Sequence, residues 1–325
     1  MAAPPVIAAA TPAWPMGYLH TFGPRADPGT ALTWGLMDIS IAVTVIVTAL
    51  VVVGALLRRV KTKGAMPPAG PGAGGGLAWI AVGCVLTVAT LTVSLIWTVQ
   101  VLARVDSPAR KPTLTIEVTG HQWWWEARYL SPQPGQVFET ANELHIPVGR
   151  PVRLKLASAD VIHSFWVPAL TGKTDAIPGR TNESWLQADR PGVYRGQCTE
   201  FCGMEHAKMA LYVVAQPEAQ FETWRLGQLA AAAAASGQPG QAIFEARCGA
   251  CHTVRGTQAG GIVGPDLTHL MSRATIASGV LHNDTASLSG WVSNPQALKP
   301  GSAMPATNLN GTQLTEVVAY LETLK

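Results

Sequence analysis

The chain has 325 residues, of which 48% are hydrophobic and 13% charged, with a formal net charge of +3 at pH 7. That length allows two or three domains, and so much apolar sequence with so little charge excludes an ordinary soluble protein of average composition and requires a membrane portion. The small net charge gives no electrostatic reason to expect nucleic acid or an acidic partner, and no nucleic acid is expected.

The first thirty residues are rich in Ala and Pro and lack the basic start, apolar stretch and cleavage site of a signal peptide. Residues 1–30 are read as an N-terminal outer segment. Neither Ile39 to Leu57 nor Leu77 to Ala103 contains a charge, and each can cross a hydrocarbon core that needs about 20 helical residues. They predict transmembrane helices at about 33–57 and 77–103 within a hairpin spanning 31–104. Between them Arg58, Arg59, Lys61 and Lys63 have no acidic neighbour, so the positive-inside rule places this loop in the cytoplasm and everything after Arg104 outside. The loop ends in GAMPPAGPGAGGG (Gly64 to Gly76), a turn-rich connection.

After Arg104 the runs TLTIEVTG, HIPVGRPVRLKLAS, VIHSFWVP, GVYRGQC and MALYVVAQ are short, β-branched or aromatic, and separated by turn residues. They predict a small β-sandwich or barrel over 105–216. A helix-prone stretch, with Ala230 to Ala235 as helix or linker, leads to the SGQPG break near Pro239 and makes 217–239 a linker. The remainder, 240–325, opens with GQAIFEARCGACH and closes with LTEVVAYLETLK at helical spacing, which predicts a small helical domain.

The five cysteines are no disulfide framework, which belongs to short cysteine-dense secreted domains. Cys84 reads as a small apolar residue of the second helix. CTEFCGMEHAKM places Cys198, Cys202, His206 and Met209 within twelve residues, with His163 upstream in VIHSFW. Soft sulfur with imidazole favours copper, and a Met thioether is a poor zinc ligand. One thiolate suffices for a mononuclear blue-copper site, so the second either bridges a second metal or is idle. A structural disulfide or a zinc site, with His163 an ordinary β-domain histidine, is the alternative on spacing alone.

CGACH has the C-x-x-C-H form of c-type haem attachment: Cys248 and Cys251 make the thioethers and His252 is the proximal iron ligand. GPDL, WVSNP, KPGSAMP and the terminal helix support this reading. His/Met ligation points to Met304 in KPGSAMP, with Met271 the weaker candidate. A thioredoxin-like pair would need a βαβ setting and a zinc knuckle a second ligand pair, and the sequence offers neither context. His20, His145, His269 and His282 read as surface or packing residues.

DVIHSFWVPAL, KTDAIPGR and PGVYRGQCTEFCGMEHAKM resemble the copper-binding region of cytochrome c oxidase subunit II, a resemblance covering roughly residues 30 to 216, and the stretch from Gly240 resembles a class I cytochrome c. The resemblance implies a multi-domain chain: a two-helix transmembrane hairpin, a cupredoxin-like all-β domain and an all-α class I cytochrome c domain. It implies a dinuclear copper (CuA) centre on His163, Cys198, Cys202, His206 and Met209, with the backbone carbonyl of Glu200 as a further ligand. The Glu200 side chain would help hold magnesium at the boundary with subunit I. GHQWWWEARY resembles the family's aromatic segment, which implies that Trp123 receives electrons from a soluble cytochrome; a core aromatic cluster is the alternative. Some relatives supply a glutamate near the second helix for proton uptake, whereas Arg58 to Gly76 contains no carboxylate.

The chain shows no nucleophile, acid–base pair or phosphate loop, so no catalytic residue is assigned and it is an oxidoreductase by membership of a complex. The expected function is electron transfer from an external donor, cytochrome c or a cytochrome bc-type complex, through haem c and the copper centre to subunit I, where oxygen is reduced to water with proton pumping. Subunits I and III and the lipid bilayer are the expected partners. The expected location is a bacterial inner membrane, with both soluble domains on the periplasmic face. The alternative is a stand-alone membrane-tethered electron carrier or copper-handling protein. A nitrous-oxide-reductase-like enzyme would need many more histidines than the eight present, and quinol oxidases lack these copper ligands.

Overall fold

The computed structural model describes residues 16–61, 75–232 and 237–325. The start of the N-terminal segment, the loop at 62–74, the side chains of 58–61 on which the expected orientation rests, and 233–236, which include the end of the alanine run, lie outside the described residues. The chain divides into two compact units, one of them Asp27–Ser107 and the other formed by the chain on either side of it.

In the first unit α1 (Asp27–Lys61) and α2 (Gly75–Asp106) are helices of 35 and 32 residues. At 1.5 Å per residue each runs about 50 Å, more than the ~30 Å of a hydrocarbon core. Leu50, Val51, Leu77 and Leu86 are among many large apolar side chains exposed along them, a surface suited to an apolar solvent. Ser40, Thr44, Thr92 and Thr98 donate their hydroxyls to carbonyls one turn back at 2.8 Å, so none needs water. Where the helices meet, the Trp97 ring lies so close to Gly35 that a Cβ there would sit 2.2 Å from it. Such small-residue approaches are how helices associate in lipid, where no hydrophobic effect draws them together.

The second unit begins with ten strands: β1 (Leu114–His121), β2 (Trp124–Leu130), β3 (Phe138–Ala141), β4 (Glu143–Pro147), β5 (Val152–Ser158), β6 (His163–Trp166), β7 (Thr174–Ala176), β8 (Asn182–Leu186), β9 (Gly192–Cys198) and β10 (Ala210–Gln216). They make two five-stranded sheets ordered β3-β2-β1-β5-β8 and β4-β10-β9-β6-β7. The β1–β5 and β4–β10 pairings are parallel and the others antiparallel. Burial alternates along β1, β5 and β9, and the inward residues of both sheets, Ile116, Leu154, Phe165, Tyr194 and Val213 among them, join one core. This order positions the site: β6 opens on His163 and β9 ends on Cys198, and the two strands are hydrogen-bonded neighbours.

α3 (Glu218–Leu229) follows, with Phe221 in the β-domain core and Trp224 stacked on His145 at 4.1 Å. The helical part comprises α4 (Pro239–Arg247), the short strands β11 (Thr275–Ile276) and β12 (Leu281–His282), α5 (Thr285–Ser293), α6 (Pro295–Leu298) and α7 (Gly311–Leu321). Asp284 caps α5, and Asn310 with Gln313 forms a capping box on α7. Phe244, Leu288, Val317, Tyr320 and Leu321 belong to its separate core.

The helical part is docked on the β-domain as well as joined to it. Ala210 N–H donates to the Ser278 carbonyl at 3.1 Å, and the Ser278 hydroxyl donates to the Ala210 carbonyl at 2.9 Å. Ala274 N–H donates to buried Glu143 at 2.9 Å. Burial would raise the Glu143 carboxyl, but its His145 and Ala274 hydrogen bonds and the nearby Arg273 charge together hold it below the usual range.

At the crossing of α4 and α7, a Cβ on Gly240 would fall 2.0 Å from the Glu316 carbonyl oxygen, which is backbone and cannot step aside. Gly240→Ala is therefore expected to destabilise the helical part by about 1–3 kcal/mol. Gly290→Ala, where nothing lies within 4 Å, should leave stability unchanged or raise it by up to about 1 kcal/mol. Denaturant unfolding of the two variants checks this.

Candidate metal centre

Strand pairing brings together residues far apart in sequence. Cys198 Sγ lies 3.7 Å from Cys202 Sγ, 3.9 Å from His163 Nδ1 and 3.3 Å from the Glu200 carbonyl oxygen. Cys202 Sγ lies 3.5 Å from His206 Nδ1 and 3.9 Å from Met209 Sδ. All six predicted donors thus meet in one place, and His163, Cys198, Cys202 and Met209 are at most 2% exposed. The sulfur separation is far beyond the ~2.05 Å of a disulfide. It matches two thiolates sharing a metal, since metal–sulfur bonds of about 2.3 Å would then subtend roughly 110°.

The ligand loop between β9 and β10 needs Gly203 for two reasons. Its φ of +118° lies outside the range of L side chains, and a Cβ there would meet the Gln122 amide and the Trp123 ring at 3.0 Å. Trp123 Nε1–H donates to the Cys202 carbonyl at 2.9 Å, and the Gln122 amide donates to the same oxygen at 2.7 Å.

Asp160 was not anticipated from sequence. Its Oδ1 lies 2.8 Å from His163 Nε2, so it fixes the tautomer that leaves Nδ1 free to face the sulfurs. Burial raises the Asp160 carboxyl, but bonds from His163, Val161 N–H and Gln122 N–H outweigh that and hold it low. Burial likewise lowers His163, but Cys198 and Asp160 prevail and raise it. An Asp three residues before a candidate ligand in DVIH was the available signal. Within the thiol pair the Cys202 hydrogen bond, against burial and with help from His163, lowers the Cys198 thiol, while the same bond and burial raise Cys202. The proton shared by the two sulfurs is therefore favoured on Cys202 over Cys198.

In the helical part Cys248 is half-buried and Cys251 is exposed, and no disulfide joins them. His252 Nδ1 lies 2.8 Å from the Pro265 carbonyl in GPDL, which leaves Nε2 for iron. Burial lowers its pKa and favours the neutral ligating form. A Cβ on Gly264 would fall 2.6 Å from that ring. The loop folds back through Gly264 N–H to the Cys251 carbonyl at 2.8 Å and leaves Ile262 and Val263 exposed, apolar surface suited to a porphyrin. Met271 packs on the helical core, whereas Met304 sits half-buried on the loop after α6.

A bilayer-length helical hairpin, a cupredoxin-like β-domain with a copper-type donor set and a C-x-x-C-H helical domain define a membrane-anchored copper and haem protein. Residues 129–216 match the periplasmic domain of cytochrome c oxidase subunit II and residues 237–325 match cytochrome c. The chain thus carries a domain of the cytochrome c oxidase subunit II family together with a cytochrome c domain. It is 40% identical over 218 residues to cytochrome c oxidase subunit 2 of Alkalihalophilus pseudofirmus, covering 66% of this chain and 62% of that one. It is 33% identical over 241 residues to cytochrome c oxidase subunit 2 of Bacillus sp. strain PS3, covering 70% and 66%. The chain thus spans just under two thirds of these relatives' lengths. The periplasmic domain of subunit II of cytochrome oxidase from Bradyrhizobium japonicum is 36% identical over 37% of this chain and 96% of that one, at a TM-score of 0.35. The two matched domains imply copper and haem, and the donors described above fit both groups.

Because the metal needs both sulfurs ionised, copper uptake by metal-free protein at pH 7 is expected to release protons, and apparent affinity should fall as pH is lowered. Cys202→Ser should release roughly one proton fewer per chain. Metal titration in a pH-stat measures this; equal release by both proteins would show the second thiol already ionised.

Proposed function

We propose that the chain is the electron-transfer subunit of a membrane cytochrome c oxidase, taking electrons from an external donor through haem c and a dinuclear copper centre to subunit I, where oxygen is reduced to water with proton pumping. When bound, the two groups supply one-electron transfer, and the protein supplies ligation, spacing and burial. The observation that carries this reading is the donor count around the sulfur pair. The Cys198 and Cys202 thiolates with His163, His206, Met209 and the Glu200 carbonyl would hold two metals, four donors to each if both sulfurs are shared. A single four-coordinate metal would leave two of these six donors unused.

Cys248 and Cys251 would anchor the haem, and His252, oriented by the Pro265 carbonyl, and Met304 on its loop would hold its iron. Trp123 is 7% exposed. Its ring lies beside Gly301 of the cytochrome domain, where a Cβ would be 3.5 Å away, and its Nε1–H bonds the Cys202 carbonyl. Trp123 therefore receives electrons from the cytochrome domain of its own chain.

Around the ligand loop Phe201 is 77% and Met204 74% exposed, with Val161 and Ile162 also uncovered. Apolar side chains gathered beside a redox site mark a docking surface, assigned here to subunit I. The Glu200 carboxylate on this loop would help hold magnesium at that boundary, and subunit III completes the complex. The hairpin anchors the chain in a bacterial inner membrane with both soluble domains on the periplasmic face, within reach of cytochrome c or a cytochrome bc-type complex. Co-purification with a large polytopic haem protein separates this reading from a stand-alone carrier.

Met304→Ala should keep the haem covalently attached, because Cys248 and Cys251 are untouched, and lower its reduction potential; an unchanged potential in a redox titration would move the ligand role to Met271. In Cys202→Ser the copper centre should be lost or become mononuclear. Its haem c should still accept electrons from donor but be reoxidised very slowly by oxygen in stopped-flow measurements. Fast reoxidation with copper shown absent would demand a direct path from haem c to subunit I.

A further inference from the structure

Lys299 is 3% exposed although it stands one residue beyond a surface helix, α6. Burying an ammonium group is costly unless it is bonded. Its Nζ donates to the Trp123 carbonyl at 2.5 Å and to the Ala277 carbonyl at 3.3 Å. The first bond joins the cytochrome domain to the β-domain at the tryptophan that touches the copper-ligand loop; the second ties Lys299 to its own domain. Burial lowers the ammonium to about 7, with the Glu205 carboxylate opposing that fall. One residue earlier the Leu298 carbonyl accepts a hydrogen bond from Lys208 of the ligand loop at 2.8 Å, and Lys208 is paired with Glu205 at 2.9 Å. Two residues later Gly301 faces the Trp123 ring, which a Cβ there would meet at 3.5 Å. Segment 298–301, which leads directly into Met304, is thus bonded to the copper-ligand loop and to Trp123 at two successive residues.

We infer that Lys299 is a positioning residue for electron transfer within the chain: its bond to the Trp123 carbonyl locks the Met304-bearing loop onto the indole, whose other edge bonds Cys202. The inference rests on the proposed function and adds to it the part that sets the spacing between the two centres. One electron leaves the haem iron, which is oxidised, and one reduces the copper centre; Lys299 gives and takes neither electron nor proton. Because two fixed backbone carbonyls define the ammonium position, the domain is held in one docked geometry. A flexible linker would instead let it sample many positions at a high effective concentration.

The test uses the full-length chain loaded with haem and copper. Lys299→Met keeps the stem volume and removes only the donor from a buried site, and the spectra of both centres report whether the fold is retained. After photoreduction of haem c, the rate of electron arrival at copper should fall about tenfold or more. The reduction potential and visible spectrum of each centre, and direct reduction of copper by dithionite, should stay as in the parent. A rate unchanged in Lys299→Met with both centres intact would overturn the inference. So would equal slowing in Lys299→Met and in Lys325→Met, a change at an exposed lysine of the cytochrome domain. If the parent shows no transfer from haem to copper, the proposed function fails instead, since that outcome does not depend on Lys299.

Discussion

Two sulfur atoms held 3.7 Å apart in a dry corner of the β-domain set the terms for everything around them. Thiolates so close repel one another unless a cation lies between them or a proton is shared, and burial sharpens both effects. The protein answers with donors on every side: an imidazole against each sulfur, a thioether, and a backbone carbonyl. Asp160 behind His163 and the Trp123 and Gln122 donors on the Cys202 carbonyl then hold those donors still. Second contacts of this kind hold the donor side chains in place.

The same tryptophan couples this corner to the helical domain. Its indole serves the ligand loop, its carbonyl takes the buried Lys299, and its ring faces Gly301. Further along the seam, Glu143 and the Ser278 hydroxyl meet backbone and side-chain partners across the boundary. Each of these polar groups is buried, so leaving one unpaired by undocking carries a desolvation cost that an exposed surface bond would not. The contact is directional for that reason, and direction is what a fixed distance between two redox groups requires.

Much of this was legible along the chain because it depends on local pattern. Charge-free stretches long enough to span lipid, β-branched runs between turns, and two cysteine motifs with His and Met at short spacing each reflect chemistry confined to a few neighbouring residues. CTEFCGMEHAKM brings four donors close almost by itself, and CGACH brings three. His163 is different: 35 positions separate it from Cys198, and only the β6–β9 pairing makes them neighbours.

By itself, then, the sequence determined the ligand types, the apolar helices and the order of the parts, since each follows from side-chain chemistry and periodicity over short range. The tertiary structure alone decided that Asp160 orients His163, that Pro265 receives the His252 N–H, and that Lys299 closes on Trp123. The last bond joins residues 176 positions apart, and its acceptor is a backbone carbonyl, a group every residue possesses and no composition or spacing can single out. Only the packing of one domain against the other, driven by burial and by the need to satisfy each buried polar group, selects which carbonyl that is.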